Sequence, residues 1–300
     1  MAKNAVLQNL VNQTIVGLSK ALTLLPYSFL VKLGYILGTL ASIIPSDRNR
    51  VVQTNLKLCF PELDEASLEQ IARKHWQLLG RSLVEKSIVW HGSKKQLHRM
   101  VEVESKVDLC DRKARILVNI HFTGIEGCIV LSALAKENGW PITSGFYQKM
   151  KNAFFNQKII EWRNRFGGDA IDRQGNTANL IRKIRNGNLI IIAPDVDLGT
   201  KDSSFVPFFG IPTNTITAVS RLAKIAGAEV CLTTTTLKAD GSGYITTIHE
   251  PLSDFPTDDS IADTARLNQL FENEIRKRPA EYYWVHKRFK NRPNNEINPY

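Results

Sequence analysis

An α/β fold, with a mixed central sheet flanked by helices and a helical N-terminal region, is predicted by three features of the 300-residue chain. Short β-branched runs alternate with helical segments from about residue 114 onward. Turn and helix-stop signals (Gly139-Trp140-Pro141, Gly167-Gly168, Asn186-Gly187) separate them, and everything before about residue 105 reads as helix. The elements follow in order: strand 114–120, helix 124–138, strand 142–147, helix 152–166, helix 176–186, strand 188–193, helix 214–226, strands 229–237 and 244–249, and helix 260–277. Ile116 to Ile120 is the β-branched run of a buried strand, Thr123 is placed to cap the helix after it, and Glu126 follows as a capping-box partner. Asn188 to Ala193 repeats the strand pattern and ends at Pro194. No repeat, low-complexity tract or long linker appears, so the chain divides only into residues 1–50, a hydrophobic helical anchor, and a single domain over 51–300.

The N-terminal assignment rests on hydropathy. Thr14 to Ile44 is largely apolar, but Lys20 and Lys32 interrupt it and Pro26 divides it. Ser28 to Ile44 spans 17 residues, at the lower limit of a membrane crossing. No small-residue cleavage site follows at the place a signal peptide requires. The segment therefore reads as an uncleaved membrane-associating region, either a marginal transmembrane helix or a hairpin lying in the interface, against an ordinary buried helical pair. Arg48 and Arg50 would then lie on the cytoplasmic side.

Composition bounds the partners. Lys and Arg number 39 against 29 Asp and Glu, and the pI is near 9.4, so acidic partners are favoured: nucleic acid, anionic lipid headgroups or an acidic carrier protein. No aromatic-rich basic RNA-binding pattern, zinc-finger spacing or basic heptad region is present, which makes nucleic acid the weakest of these. Cys59, Cys110, Cys128 and Cys231 are scattered without a C-x-x-C pair, as in a reducing compartment with no disulfide or metal role.

Ala114 to Gly127 carries the strongest chemical signal, because an apolar run delivers His121 and Glu126 to one short turn. Inside a single helix a five-residue spacing would separate the two by about 140°. They can meet only if His121 precedes the helix and Glu126 sits in its first turn. A carboxylate beside an imidazole fixes its tautomer and raises its basicity, which suits it to take a proton from an alcohol. The plainer reading is a capping-box glutamate and a hydrogen-bonded structural histidine.

The His-x-x-x-x-acid arrangement resembles that of the glycerolipid acyltransferases, and further blocks narrow the resemblance to the bacterial lipid A late acyltransferases of the lauroyl and myristoyl type. These are Asn55 to Glu62 (with Phe60 and Pro61), Gly80 to Trp90 (with Glu85), Trp162-Arg163-Asn164-Arg165, Ala193 to Gly199, Val206-Pro207-Phe208-Phe209-Gly210 and Tyr283 to Lys290. Together they cover nearly the whole chain in order. The resemblance implies a glycerolipid-acyltransferase-like fold and transfer of a fatty acyl chain from acyl carrier protein to a hydroxyl of a phosphorylated lipid A precursor, in lipopolysaccharide biosynthesis. It places the enzyme at the cytoplasmic face of the bacterial inner membrane, against its anionic lipid surface. It requires no bound cofactor, since the thioester arrives with its donor.

By the same resemblance His121 is the base and Glu126 its partner, although the glutamate could instead work with an arginine. Arg163 matches the family arginine in preference to Arg165; a guanidinium holds a phosphate or a developing oxyanion bidentately. Asp195 orients an arginine or the substrate. Arg165, Lys149, Asp197, Phe208, Phe209, Lys287 and Arg288 are expected to line the substrate, the phenylalanines as a wall for the acyl chain and the basic pair toward phosphates, carrier or bilayer. Asp195-Val196-Asp197 also spells the D-x-D motif of metal-dependent glycosyltransferases, but a two-residue motif is weak and metal-independent use is expected. His286 reads as a packing residue, and His75, His91, His98 and His249 match no catalytic pattern. Two departures, Tyr147-Gln148-Lys149 in place of Tyr-Arg-Pro and Val196 between the aspartates, bear on the acceptor more than on the reaction. Acyl-CoA donation to another glycolipid or lysophospholipid, and a non-catalytic lipid-binding protein, are the competing readings.

Overall fold

The computed structural model describes residues 2–300. Three helices open the chain: α1 (Ala2–Leu22), α2 (Tyr27–Ile43) and α3 (Asp47–Cys59). The long α4 (Glu65–His91) and short α5 (Lys94–Met100) lead into a seven-stranded sheet of order β1-β9-β8-β2-β5-β3-β4. Its strands are β1 (Val101–Ser105), β2 (Arg115–Asn119), β3 (Thr143–Tyr147), β4 (Asp169–Asp172), β5 (Leu189–Ile192), β8 (Glu229–Leu237) and β9 (Tyr244–Pro251). All neighbours run parallel except β8 and β9. A separate antiparallel hairpin is formed by β6 (Ser203–Phe208) and β7 (Ile211–Ile216).

Alternation along β2 separates the two sides of the sheet. Ile116, Val118 and Ile120 join the main core with residues of α3, α8 (Thr177–Arg185), α9 (Ala218–Ala226) and α10 (Ser260–Lys277). Leu117 packs the opposite way against Leu131 of α6 (Val130–Asn138). All five residues of β2 are buried, as expected of a central parallel strand covered on both faces.

The sequence reading differs from the structure at sheet edges and in the hairpin. Val101 to Ser105, taken as the end of the helical region, is the edge strand β1, and β4 was not anticipated. The helix expected over 214–226 begins only at Ala218, because Ile211 to Ile216 pairs with β6. The capping box at Thr123 does not form. The turn after β2 is a 3₁₀ segment, Ile125–Ile129, entered at Gly124, and the Thr123 backbone N–H donates to the Glu281 carbonyl (2.7 Å).

The predicted boundary after residue 50 falls within α3, whose Val52, Leu56 and Cys59 belong to the main core. Helix α2 crosses α4 in backbone contact. A Cβ on Gly34 would lie 2.3 Å from the Arg81 Cα, one on Gly38 2.1 Å from the Trp76 carbonyl oxygen, and one on Gly80 2.4 Å from the Gly34 carbonyl oxygen. Only glycine allows this approach. On the side away from α4, α1 and α2 expose Leu7, Leu10, Ile15, Leu18, Phe29, Ile36, Leu40 and Ile43. No single helix among the described residues is long and apolar enough to cross a membrane; α2 and α3 reach that composition together but meet at 88°.

Candidate active site

Strands β2 and β5 are hydrogen-bonded neighbours running in the same direction, so the residues leaving their carboxyl ends emerge side by side. Two residues past β2 stands His121, and three past β5 stands Asp195. His121 Nδ1 lies 2.6 Å from Asp195 Oδ1, and the His121 backbone N–H donates to Asp195 Oδ2 (2.9 Å). Both carboxylate oxygens therefore grip the same residue. With Asp195 as acceptor, Nδ1 carries the ring proton and Nε2 is left as a base.

The segment after α10 clamps this pair. The Tyr282 hydroxyl donates to the Asp195 carbonyl (3.0 Å), the Tyr283 N–H to the His121 carbonyl (2.9 Å), and Phe122 and Tyr282 form an antiparallel bridge. Burial opposes charge on the imidazole, but the Asp195 charge and hydrogen bond outweigh it and raise the His121 pKa. Asp195 is fully buried, and the same partnership holds its pKa below the ordinary carboxylate value despite that burial.

Glu126 lies in the first turn of the 3₁₀ segment and faces α7 (Ala153–Asn164). Arg163 Nη2 lies 3.3 and 3.5 Å from its two oxygens, while Arg163 Nη1 donates to the Phe146 carbonyl at the end of β3 (2.8 Å). Burial pushes the Glu126 pKa up; Arg163, then Lys86 and His121, bring it below the usual value. The hydrogen-bonding partner of His121 is thus Asp195 and not Glu126. An acid five residues on has moved away along its own turn, whereas an acid from the adjacent parallel strand stands alongside.

Beside Glu126 and Arg163 opens a pocket of about 480 Å³, walled mainly by Val89, Trp90, Cys128, Ile129, Ala170 and Ile191. Burial raises the Cys128 thiol to about 12, so it serves as a neutral wall residue. A half-buried histidine held by a buried carboxylate is equipped to deprotonate a hydroxyl, and the arginine-glutamate pair that follows it in the turn borders an apolar pocket.

The chain matches the bacterial lipid A biosynthesis acyltransferases over residues 3–291. It belongs to that family. Among similar curated proteins, the lipid A biosynthesis lauroyltransferase of Escherichia coli (strain K12) is 31% identical over 280 residues, spanning 90% of this chain and 88% of its own. The palmitoleoyltransferase of the same strain is 30% identical over 288 residues, spanning 92% and 90%, and its myristoyltransferase is 25% identical over 265 residues, spanning 88% and 82%. The protein is accordingly an acyltransferase.

Other residues expected at the acyltransferase site are dispersed. Arg165 donates to the Gly92 carbonyl and stacks over Phe166 (4.1 Å), tying the end of α7 to the end of α4. Lys149 pairs with Asp172 (2.8 Å) across the ends of β3 and β4. Asp197 points away from Asp195: it accepts from Asn214 (3.1 Å), Asn291 (2.8 Å) and the Gly199 N–H (3.0 Å). The two aspartates do not converge as a D-x-D pair.

Phe208 lies wholly in the core beside Phe289, and Phe209 packs edge-on against Phe60. Lys287 sits over the Tyr300 ring (5.7 Å). Arg288, expected to meet phosphates, is 2% exposed, donates to the Asn214 carbonyl and Thr215 Oγ1 (2.6 and 2.7 Å), and lies over Phe208 (5.0 Å). These bonds turn two of its three nitrogens inward, its Nε has no partner among the described residues, and Asp197, Phe208 and Arg288 are all buried away from the surface. His286 accepts from the Asp197 N–H at Nε2 (2.9 Å), and burial brings its pKa down to about 4. Tyr282 carries no sequence signal of its role, because a hydroxyl that bonds a backbone carbonyl leaves no motif.

Proposed function

We propose that this acyltransferase moves a fatty acyl chain from an acyl-carrier-protein thioester to a hydroxyl of a phosphorylated lipid A precursor, at the cytoplasmic face of the bacterial inner membrane. The observation that carries the chemistry is the 2.6 Å contact between His121 Nδ1 and Asp195. His121 Nε2 takes the proton of the acceptor hydroxyl as its oxygen attacks the thioester carbon. Asp195 stabilises the imidazolium that results. The tetrahedral oxyanion collapses with loss of the thiolate, which recovers the proton from His121.

Arg163 is paired with Glu126 beside the apolar pocket, and its Nε has no partner among the described residues. Glu126 aims the guanidinium, which then offers positive charge to the oxyanion. The apolar pocket beside it suits the acyl chain, and the basic balance of the chain suits an acidic carrier and a phosphorylated acceptor. The exposed leucines and isoleucines of α1 and α2 support seating on a lipid surface, where an amphiphilic acceptor is found. The names of the relatives support lipid A as the product class.

The decisive assay incubates purified enzyme with a radiolabelled tetra-acylated lipid A precursor and either acyl-carrier-protein or acyl-CoA thioester, then separates the lipids by thin-layer chromatography. The expected result is a product of higher mobility with the carrier-protein donor, lost in folded His121→Ala and Asp195→Ala enzymes. No product with either donor overturns the assignment of acceptor.

A further inference from the structure

Lys86 is a half-buried cation on α4 with no hydrogen bond or ion pair among the described residues. Its ammonium lies 6.0 Å from the centre of the Trp90 ring. Ser82 and Lys86, one helical turn apart, line a small cleft with Thr123, Gly124 and Glu126, whose wall also includes Val89, Met100 and Tyr244. The cleft shares Val89 and Glu126 with the apolar pocket, and its Thr123 follows His121 by two residues. The Thr123 hydroxyl is 6% exposed and likewise has no partner among the described residues.

Charge in this corner is unbalanced. Glu85, which also borders the cleft, is satisfied by Arg81 and two tyrosine hydroxyls, and Glu126 is matched by Arg163. Lys86 is left over. An unpaired ammonium flanked by hydroxyls, one of them buried without a partner, is the donor set of an oxyanion site: a point charge with short hydroxyl donors around it.

We propose that Lys86, with the hydroxyls of Ser82 and Thr123, binds a phosphate group carried by one of the substrates and so positions that substrate beside His121. The inference rests on the reading that the substrates are phosphorylated. Two sources share the chemistry: the sugar phosphate of the acceptor and the phosphodiester of the donor's pantetheine arm. Lys86 is a binding residue here, not a group that exchanges protons.

The test uses full-length Lys86→Met, Lys86→Arg and Ser82→Ala enzymes, with acceptors carrying or lacking phosphate and with acyl-phosphopantetheine or phosphate-free acyl-pantetheine as donor. Lys86→Met is expected to raise KM roughly tenfold for the phosphorylated form of one substrate only, the size of one hydrogen bond to a charged group. Lys86→Arg restores most of it, and Ser82→Ala shows a smaller rise. The arm in which the penalty vanishes with the phosphate identifies the source. A penalty independent of phosphate on both substrates, or a fall in kcat with KM unmoved, overturns the inference. Direct titration with glucosamine phosphate and with phosphopantetheine, followed by tryptophan fluorescence, needs no turnover. Saturable binding of either ligand that is lost in folded Lys86→Met supports the site even if the lipid acceptor is wrongly assigned; binding of neither, or binding unchanged in the variant, rules it out.

Discussion

Glu85 and Glu126 border the same cleft, each with an arginine partner, yet one is closed and the other open. Glu85 accepts from Arg81 Nε (2.8 Å), Tyr27 (2.7 Å) and Tyr244 (2.6 Å), and its side chain is 4% exposed. Arg81 also donates to Tyr27 (2.8 Å) and Tyr35 (3.3 Å), so the cluster ties α2, α4 and β9 together. Burial and the neighbouring carboxylate raise the pKa of the Tyr27 and Tyr244 hydroxyls, which stay protonated as donors. Glu126 has one partner at 3.3 Å, and both it and Arg163 are nearly a third exposed. A buried ion pair completed by phenols holds elements in place; one left short of partners beside a pocket has bonding capacity to spend on a substrate.

The largest expected effect is at the site. His121→Ala should lower kcat/KM by about 10²–10⁴-fold, the usual worth of a general base, with the thermal midpoint close to wild type. Retained activity would move the chemistry away from the elbow. Arg81→Met should act in the opposite sense, lowering unfolding free energy by ~3–5 kcal/mol in a urea titration, because Glu85 is left charged and buried. Restoration of stability by Arg81→Met with Glu85→Leu would confirm that the cluster acts through folding. If Arg81→Met instead leaves stability intact and abolishes kcat, the contrast between the two pairs fails.

Backbone contact between α2 and α4 predicts that Gly38→Ala costs ~1–3 kcal/mol by forcing the helices apart. Glu126→Gln breaks a partly exposed pair and should cost no more than ~1 kcal/mol, with its effect read in kcat. The smallest effect is a shift of pH profile. The neutral imidazole is the base and Asp195 raises its pKa, so kcat/KM should climb with pH along a limb lying above 6.5. Asp195→Asn removes the raising charge, and the limb should move to lower pH as the plateau falls; a limb that stays in place argues that another group titrates.

Local pattern made part of the elbow legible: the β-branched run from Ile116 and the histidine after it read directly, whereas the expected Thr123-capped helix is a 3₁₀ turn entered at Gly124. Asp195 was visible as a polar residue ending a second strand. Its partnership with His121 was not, because it depends on β5 lying next to β2, and a two-residue periodicity carries no information about which strands are neighbours. The same limit explains Arg288. Its basic and aromatic surroundings read as surface, and the groups that bury it, Asn214 and Thr215, lie in a hairpin whose Thr- and Asn-rich second strand, broken by Pro212, resembled the approach to a helix. Strands β1 and β4, five and four residues at the two edges of the sheet, offered too little alternation to register.

The glycine crossing of α2 on α4 has a mechanical consequence. Helix α4 carries both Arg81 and Lys86, and its far end packs at the pocket through Val89 and Trp90. With backbone meeting backbone at the glycines and Arg81 and Glu85 bonded to Tyr27 and Tyr35 beside them, the exposed face of α2 and the rim of the cleft belong to one bracket. If α1 and α2 rest on a lipid surface as proposed, the height of His121 above it is set by that bracket, much as a tool rest sets the depth of a cut.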